Sequence, residues 1–542
     1  MMRKTFRKSF TLSLIAGAAL LAACGGSDDN DNNVNVTVQV GDTVALTASG
    51  KLMSFNRAAP GTTVGSIAVS GLASGESLLG IDYRPADGKL YGVSSAGKVY
   101  TIEPSTGVAT MKATLVAAAG DDNPFTAFVG TDFGVDFNPA ADRLRVVSNT
   151  GLNLRINVDT GDTLTDGTIT PASGTAQVSA AAYTNAFAGT TATQLFVLDA
   201  STGLLHLQDP PNAGTLGVGL PLGITATTVN GFDIDARNNT GYAVLGASGA
   251  ATLYSVNLGS GAAVSVGTVA GGEAIKGIAL QQPAAPGAIG LTADNRLVAF
   301  DPKAPNTLSS TVSITGLGAG EAVIGIDFRP ANGMLYALTD GAKLYTVNPT
   351  SGAATLAVTL AADPADATVP FAALSGTVFS VDFNPLADRL RVISDTGQSL
   401  RINADTGVTI SDGDINRIGV APSVSAAAYI NSFAGTTATA LFDLDAAGDV
   451  LAQQTPPNNG TLVDIGALGI DITATAGFDI AGGGNGLVLA ALRAGASGPF
   501  TLYTVSLATG AATLYRNTSG DAALSLIGGA SGPALIDLAI KF

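Results

Sequence analysis

The chain has 542 residues, 46% of them apolar and 13% charged, which allows a large core and excludes wholesale disorder. A formal charge of −16 excludes a general nucleic-acid binder, because phosphates need a basic face. The acids are 38 Asp and 4 Glu, beside 68 Gly and no Trp. Asp and Gly suit turns and Glu suits helices, so this bias points to an all-β protein of two or more domains with many tight turns.

The chain opens with MMRKTFRKSF, which holds four bases and no acid, then TLSLIAGAALLAA, then Cys24. An apolar run of 13 residues is too short to span a bilayer as a mature helix. LAAC (21–24) resembles the bacterial lipoprotein signal box. That resemblance implies that residues 1–23 are a signal peptide and that Cys24, the only cysteine, takes a lipid and becomes the mature N-terminus. An ordinary cleaved signal with a chance cysteine is the plainer alternative. Gly25, where enteric lipoproteins kept at the inner membrane carry Asp, implies the outer membrane, with the face left open. Residues 24–41, beginning GGSDDNDNN after the cysteine, read as a flexible tether.

Downstream the chain repeats itself. GIDYRPADGKLYGV (80–93) matches GIDFRPANGMLYAL (325–338), and VDFNPAADRLRV (135–146) matches VDFNPLADRLRV (381–392). LRINVDTG (154–161) matches LRINADTG (400–407), and VSAAAYTNAFAGTTAT (178–193) matches VSAAAYINSFAGTTAT (424–439). Two domains follow, 42–280 and 288–542, joined by a linker at 281–287. Within each, strand starts recur about every fifty residues, at Ile81, Val135, Ala181, Phe232 and Ile278, and four short strands follow each turn signal; this is the mark of propeller blades. The starts count five blades per domain. VALTAS (44–49) with IKGIAL (275–280), and AIGLTAD (288–294) with LIDLAIKF (535–542), would each share one blade between the two ends of a domain, which removes exposed edges. One ten-bladed ring, or six blades per ring, are the alternatives.

If PAAD (139–142) is a four-residue loop and Asn149–Gly151 the next turn, Asp136, Arg145 and Arg155 lie in one row across three strands. Asp382, Arg391 and Arg401 form the second row. In other blades the same construction gives Asp82, Tyr91 and Tyr100; Asp327, Tyr336 and Tyr345; Asp233, Tyr242 and Tyr254; Ala182, Phe196 and His206; and Ala279, Val44 and Met53. Two arginines directly opposite repel, so something must answer them. Asp136 is the expected partner of one, in a bidentate pair. The trio is then either an internal network or an anion or sugar-acid site.

Asp82, Asp136 and Asp233, with Asp327, Asp382 and Asp479, converge on the domain axes, where carboxylates either hold a cation or serve local structure; no metal and no cofactor is expected. DTGDTLTDG (159–167) lacks the spacing of a calcium loop and reads as turns. Glu76 and Glu321 sit in Gly-rich loops before inner strands. With Asp82 and Asp327 they are the weak candidates for acid–base chemistry. His206 is the lone histidine and its counterpart is Ala452, which excludes Cys/His zinc sites and histidine triads. No phosphate-binding fingerprint occurs.

The repeated strings GIDYRPADGKLYGV, GVDFNPAADRLRVVSNTG and LRINVDTG, with their second copies, resemble bacterial envelope proteins built from a β-propeller-type domain of unknown function. The resemblance covers 42–280 and 288–542 and implies architecture, not activity. The expectation is a monomeric, lipid-anchored, non-catalytic module that binds a glycan or an envelope protein, with no nucleic-acid partner. A glycan-cleaving hydrolase or lyase, and a purely structural envelope protein, are the competing readings.

Overall fold

Short runs of β-branched, aromatic and small residues, punctuated by Gly, Asn and Asp, make nearly every regular element a strand. The computed structural model describes residues 37–542 except 172–173, 175, 191, 200, 225–227, 248–249, 284, 367–368, 420, 473–475, 496 and 516–520. The expected signal peptide, Cys24 and most of the expected tether lie outside the described residues. The end of the tether is held rather than free, since the Val38 N–H donates to the Ser105 carbonyl at 2.8 Å. Among the described residues the only helical elements are three short 3₁₀ turns.

The strands form ten sheets, five in each half, within one unit spanning Val38–Phe542. The third sheet shows the plan. Phe133–Asn138, Arg143–Ser148, Asn153–Ile156 and Asp162–Thr165 pair antiparallel in sequence order, and Val116–Ala117 adds a short parallel strand at the far edge. Asp142, in the loop of the opening hairpin, has a left-handed φ of 52°, a conformation that Asp tolerates better than most residues. Burial falls along each sheet. Phe133–Asn138 is almost wholly buried, while outer strands such as Ala109–Thr114 are mostly exposed.

In each half the first strand pairs with the last. Thr43–Thr47 pairs antiparallel with Ile275–Leu280, and Gly287–Thr292 with Leu535–Lys541. The innermost strands lie side by side in turn: Leu78–Tyr83, Phe133–Asn138, Val178–Tyr183, Thr228–Ile234, Ile275–Leu280 and again Leu78–Tyr83. The second half repeats this with Val323–Arg329, Phe379–Asn384, Val424–Tyr429, Gly477–Ile480 and Leu535–Lys541. The approach is close: a β-carbon at Gly134 would come within 2.5 Å of the Ala181 nitrogen.

The expected row holds in the arginine sheets. Arg145 lies opposite both Asp136 and Arg155, and Arg391 opposite both Asp382 and Arg401. Elsewhere only the first two members hold. Tyr91 faces Asp82 but also Thr101, not Tyr100, and Tyr336 faces Thr346, not Tyr345. Tyr242 faces Ser255, Phe196 faces Leu207 and Val44 faces Ser54, so Tyr254, His206 and Met53 are each one residue out. The second hairpin of these sheets differs in length by one from the expected turn, and a one-residue slip sends the side chain to the other face.

Candidate functional site

The arginine row is answered from within, but not by the expected acid. Arg145 is 1% exposed, and its Nη1 donates to Asp166 Oδ2 and Asn153 Oδ1, both at 2.7 Å. Its Nη2 donates to Asn212 at 2.8 Å and its Nε to the Tyr183 hydroxyl at 3.1 Å, both on the next sheet. Arg155 grips the same Asp166 with two bonds of 2.6 and 2.8 Å. Asp412 does the same for Arg391 and Arg401, with Ser399, Asn458 and Tyr429 completing the set. One carboxylate thus lies between two guanidiniums, and every Arg145 nitrogen is bonded within the protein.

Asp136 does other work. Its Oδ1 accepts the Tyr183 backbone N–H of the next sheet at 3.0 Å. Asp82 likewise accepts Phe137 N–H at 2.7 Å, and Asp233 accepts Leu280 N–H at 2.6 Å. In the second half Asp327 accepts Phe383 N–H, Asp382 accepts Tyr429 N–H and Asp479 accepts Ile540 N–H. The reason is geometric: an innermost strand has no strand partner on its inner edge, and a buried N–H must find an acceptor. The latches bring Asp82, Asp136 and Asp233 together, with one oxygen of each within 4.8 Å of the others, and Asp327, Asp382 and Asp479 likewise. Burial, and then the neighbouring carboxylates, hold Asp82 and Asp136 well above the ordinary range, and burial pushes Asp233 up to about 7 and Asp479 up to about 6. Such oxygens suit a hard cation, yet Asp82 and Asp233 already use both oxygens on backbone N–H groups.

Glu76 lines a cavity of about 340 Å³ together with Ser49, Ser77 and Lys276. Its carboxylate is bonded to Lys98, and to the Tyr100 hydroxyl at 2.6 Å. These bonds, Lys98 first, hold it below the usual range. Glu321 is held in the same way by Lys343 and Tyr345. A low-pKa carboxylate tied to an ammonium is a poor general acid. Both oxygens of each candidate are already hydrogen-bonded, Glu76 to Lys98 and Tyr100 and Asp82 to the Tyr83 and Phe137 N–H groups, and Glu321 and Asp327 repeat this.

A further pair of arginines went unmarked in the sequence. Arg84, in the RP of the repeated string, donates to Asp142 at 2.6 and 2.8 Å and to Asp159 at 2.8 Å, both on the neighbouring sheet. Arg329 repeats this with Asp388 and Asp405.

With this geometry in hand the relatives can be placed. The family described as "Domain of unknown function (DUF4394)" matches residues 51–279 and again 296–527. The chain belongs to that family. No curated protein matches it. A solved structure of the Dos1 propeller is similar at 12% identity over 66% of this chain and 90% of its own, with a TM-score of 0.27. A crystal structure of a protein from Lactobacillus plantarum is similar at 14% identity over 65% of this chain and 96% of its own, with a TM-score of 0.25. Likeness at this level does not bear on activity.

The two DUF4394 copies are not identical inside. Asp443 stands where the first copy has Val197, is 0% exposed, and neither of its oxygens has a hydrogen-bond partner. Burial pushes its carboxyl up to about 8, opposed by Arg391 and Arg417.

Asp166→Ala leaves two facing arginines without their acid and is expected to cost about 3–5 kcal/mol in urea unfolding. Arg155→Ala should cost less, because that side chain is 31% exposed. Asp443→Val is expected to stabilise the protein by about 1–3 kcal/mol. In the unfolded chain Asp443 ionises near pH 3.9, well before it does in the fold. Its penalty to the folded state therefore grows as pH rises from about 4 to about 8 and is level above that. Unfolding at about pH 5 and about pH 9 should show the larger gain at the higher pH.

Proposed function

We propose that the protein is a non-catalytic binding module of the bacterial cell envelope, built from two five-bladed β-propellers and anchored by lipid on Cys24. The boundaries are those read from the sequence: signal peptide 1–23, tether 24–41, propellers 42–280 and 288–542, and linker 281–287. Five innermost strands per half that neighbour one another in a cycle support the blade count. The pairing of each half's last strand with its first supports closure through a shared blade.

One observation carries the non-catalytic reading. Every acid singled out for chemistry is engaged elsewhere: Glu76 and Glu321 by lysine and tyrosine, and Asp82 and Asp327 by backbone N–H groups. The rival reading, a glycan hydrolase or lyase, needs two carboxylates free to act about 5–10 Å apart. Each candidate carboxylate already has both oxygens hydrogen-bonded, which speaks against that role.

Purified full-length protein on a glycan array, with a parallel assay for new reducing ends, separates the readings. Retention of a glycan without cleavage is expected, and Glu76→Gln should leave retention unchanged. Turnover that disappears in Glu76→Gln would establish the enzyme instead. For the anchor, Cys24→Ala should move the protein from the membrane fraction to the soluble one. Unchanged membrane attachment would remove the lipid from the proposal.

A further inference from the structure

We infer that a groove at the junction of the two halves binds a saccharide bearing a carboxylate; this deepens the binding-module reading and rests on it. The two halves meet through corresponding loops. Asn485 Nδ2 donates to the Ala236 and Arg237 carbonyls at 3.2 and 3.0 Å, and its counterpart Asn239 donates to the Gly484 carbonyl at 2.9 Å. On either side of this contact stands one copy of the NxFAGTTAT loop, 185–193 or 431–439.

The first copy of that loop is covered. Phe187 is buried edge-to-face on Phe542, with centroids 5.4 Å apart, and Lys303 lies across Gly189, where a β-carbon would meet its ε-carbon at 1.4 Å. Strand register and sequence give the counterparts of Phe542 and Lys303 as Gln282 and Ala58. Neither supplies a plug at the second copy. There a cavity of about 650 Å³ opens beside Phe433 and Gly435, with Ala58 in its wall. That volume is in the usual range for a small-ligand site.

The wall carries chemistry that the covered side lacks. Arg57, Asp235, Arg237 and Tyr242 line the groove, whereas the corresponding residues of the second half are Pro302, Ala481, Gly483 and Val488. The junction therefore holds without this set on one side. Arg57 is 8% exposed, bonds Asp235 at 2.6 Å and lies 4.8 Å from the Tyr242 ring centroid. Its Nε is buried without a hydrogen bond, 3.4 Å from the Asp42 carboxylate. Arg237 bonds Asp235 at 2.6 Å through Nη2 and at 3.0 Å through Nε, and lies 5.2 Å from the Phe433 centroid. Two stacked guanidiniums share Asp235, and the Asp42 carboxylate lies 3.4 Å from the Arg57 Nε without hydrogen-bonding it. Arg237, whose side chain is 32% exposed in the groove wall, offers a ligand carboxylate the planar geometry arginine favours. Thr436 and Thr437 line the same groove, with hydroxyls of the kind that bind a sugar's own.

The test is calorimetric titration of the purified full-length protein with trigalacturonate, and with maltotriose as the neutral comparison. Trigalacturonate should bind, and maltotriose at least 10-fold more weakly. Arg237→Gln and Phe433→Ala should each weaken trigalacturonate binding 10-fold or more. Ala58→Lys, at an exposed position, copies the plug of the covered side and should abolish binding; its added cation would only favour an anion, so loss reports occlusion. Trigalacturonate binding that all three variants leave unchanged would overturn the groove while keeping the binding-module reading. No binding of trigalacturonate, or equal affinity for maltotriose, would overturn the ligand class. Cleavage products in the titrated sample would instead overturn the binding-module reading itself.

Discussion

The architecture depends on a buried carboxylate that accepts a backbone N–H from the next sheet. A stack of separate sheets has a weakness that a single sheet does not: its innermost strands present unpaired polar edges to one another. Aspartate at the same place in successive innermost strands removes that cost, and it does so from Asp82 to Phe137, from Asp136 to Tyr183 and from Asp233 to Leu280. The latch carries its own penalty. Carboxylates gathered near an axis repel and lose their hydration, which is why their protons are held so tightly. Ala182 and Ala279 interrupt the series in the first half and Ala428 in the second, while Asp537, two residues before Ala539, latches the Ile326 N–H at 2.8 Å.

Farther from the axis arginine takes over the same task. Arg84 crosses to Asp142 and Asp159, and Arg145 to Asn212 and Tyr183, so each joins one sheet to its neighbour with fixed, planar bonds. Backbone latches near the axis and guanidinium ties outside it leave apolar contacts to fill the space between. Where a tie is lost the core simply continues, as at Ala481, which stands in place of Asp235 and packs in an apolar cluster.

Much of this was legible in the residues. The duplication, the strand quartets and the register of Asp136 with Arg145 follow from string matching and hairpin length. The slip at Tyr100 and Tyr345 came from a turn whose length those strings do not reveal. Asp166 was passed over because it lies 21 residues beyond Arg145, in a segment that reads as a turn; its recurrence as Asp412 was the available signal. Asn212 had no signal, since it reaches Arg145 from another sheet. The role of Asp136 was hidden for a different reason: its partner is a main-chain N–H, and no side-chain pattern marks one. The groove beside Phe433 was invisible because it arises from Gln282 and Ala58, residues that are informative only when set against Phe542 and Lys303.

The pairing of Thr43–Thr47 with Ile275–Leu280 bears on how the chain is made. An early strand keeps an open hydrogen-bonding edge until a segment more than two hundred residues later has been synthesised. Such a long-range contact is slow to form, and its exposed edge invites wrong partners in the meantime. The second half faces the same delay, and its waiting strand, Gly287–Thr292, emerges just as the first half becomes able to finish. Two near-copies are then unfinished in quick succession, and synthesis in order, first half before second, favours pairing of each tail with its own sheet.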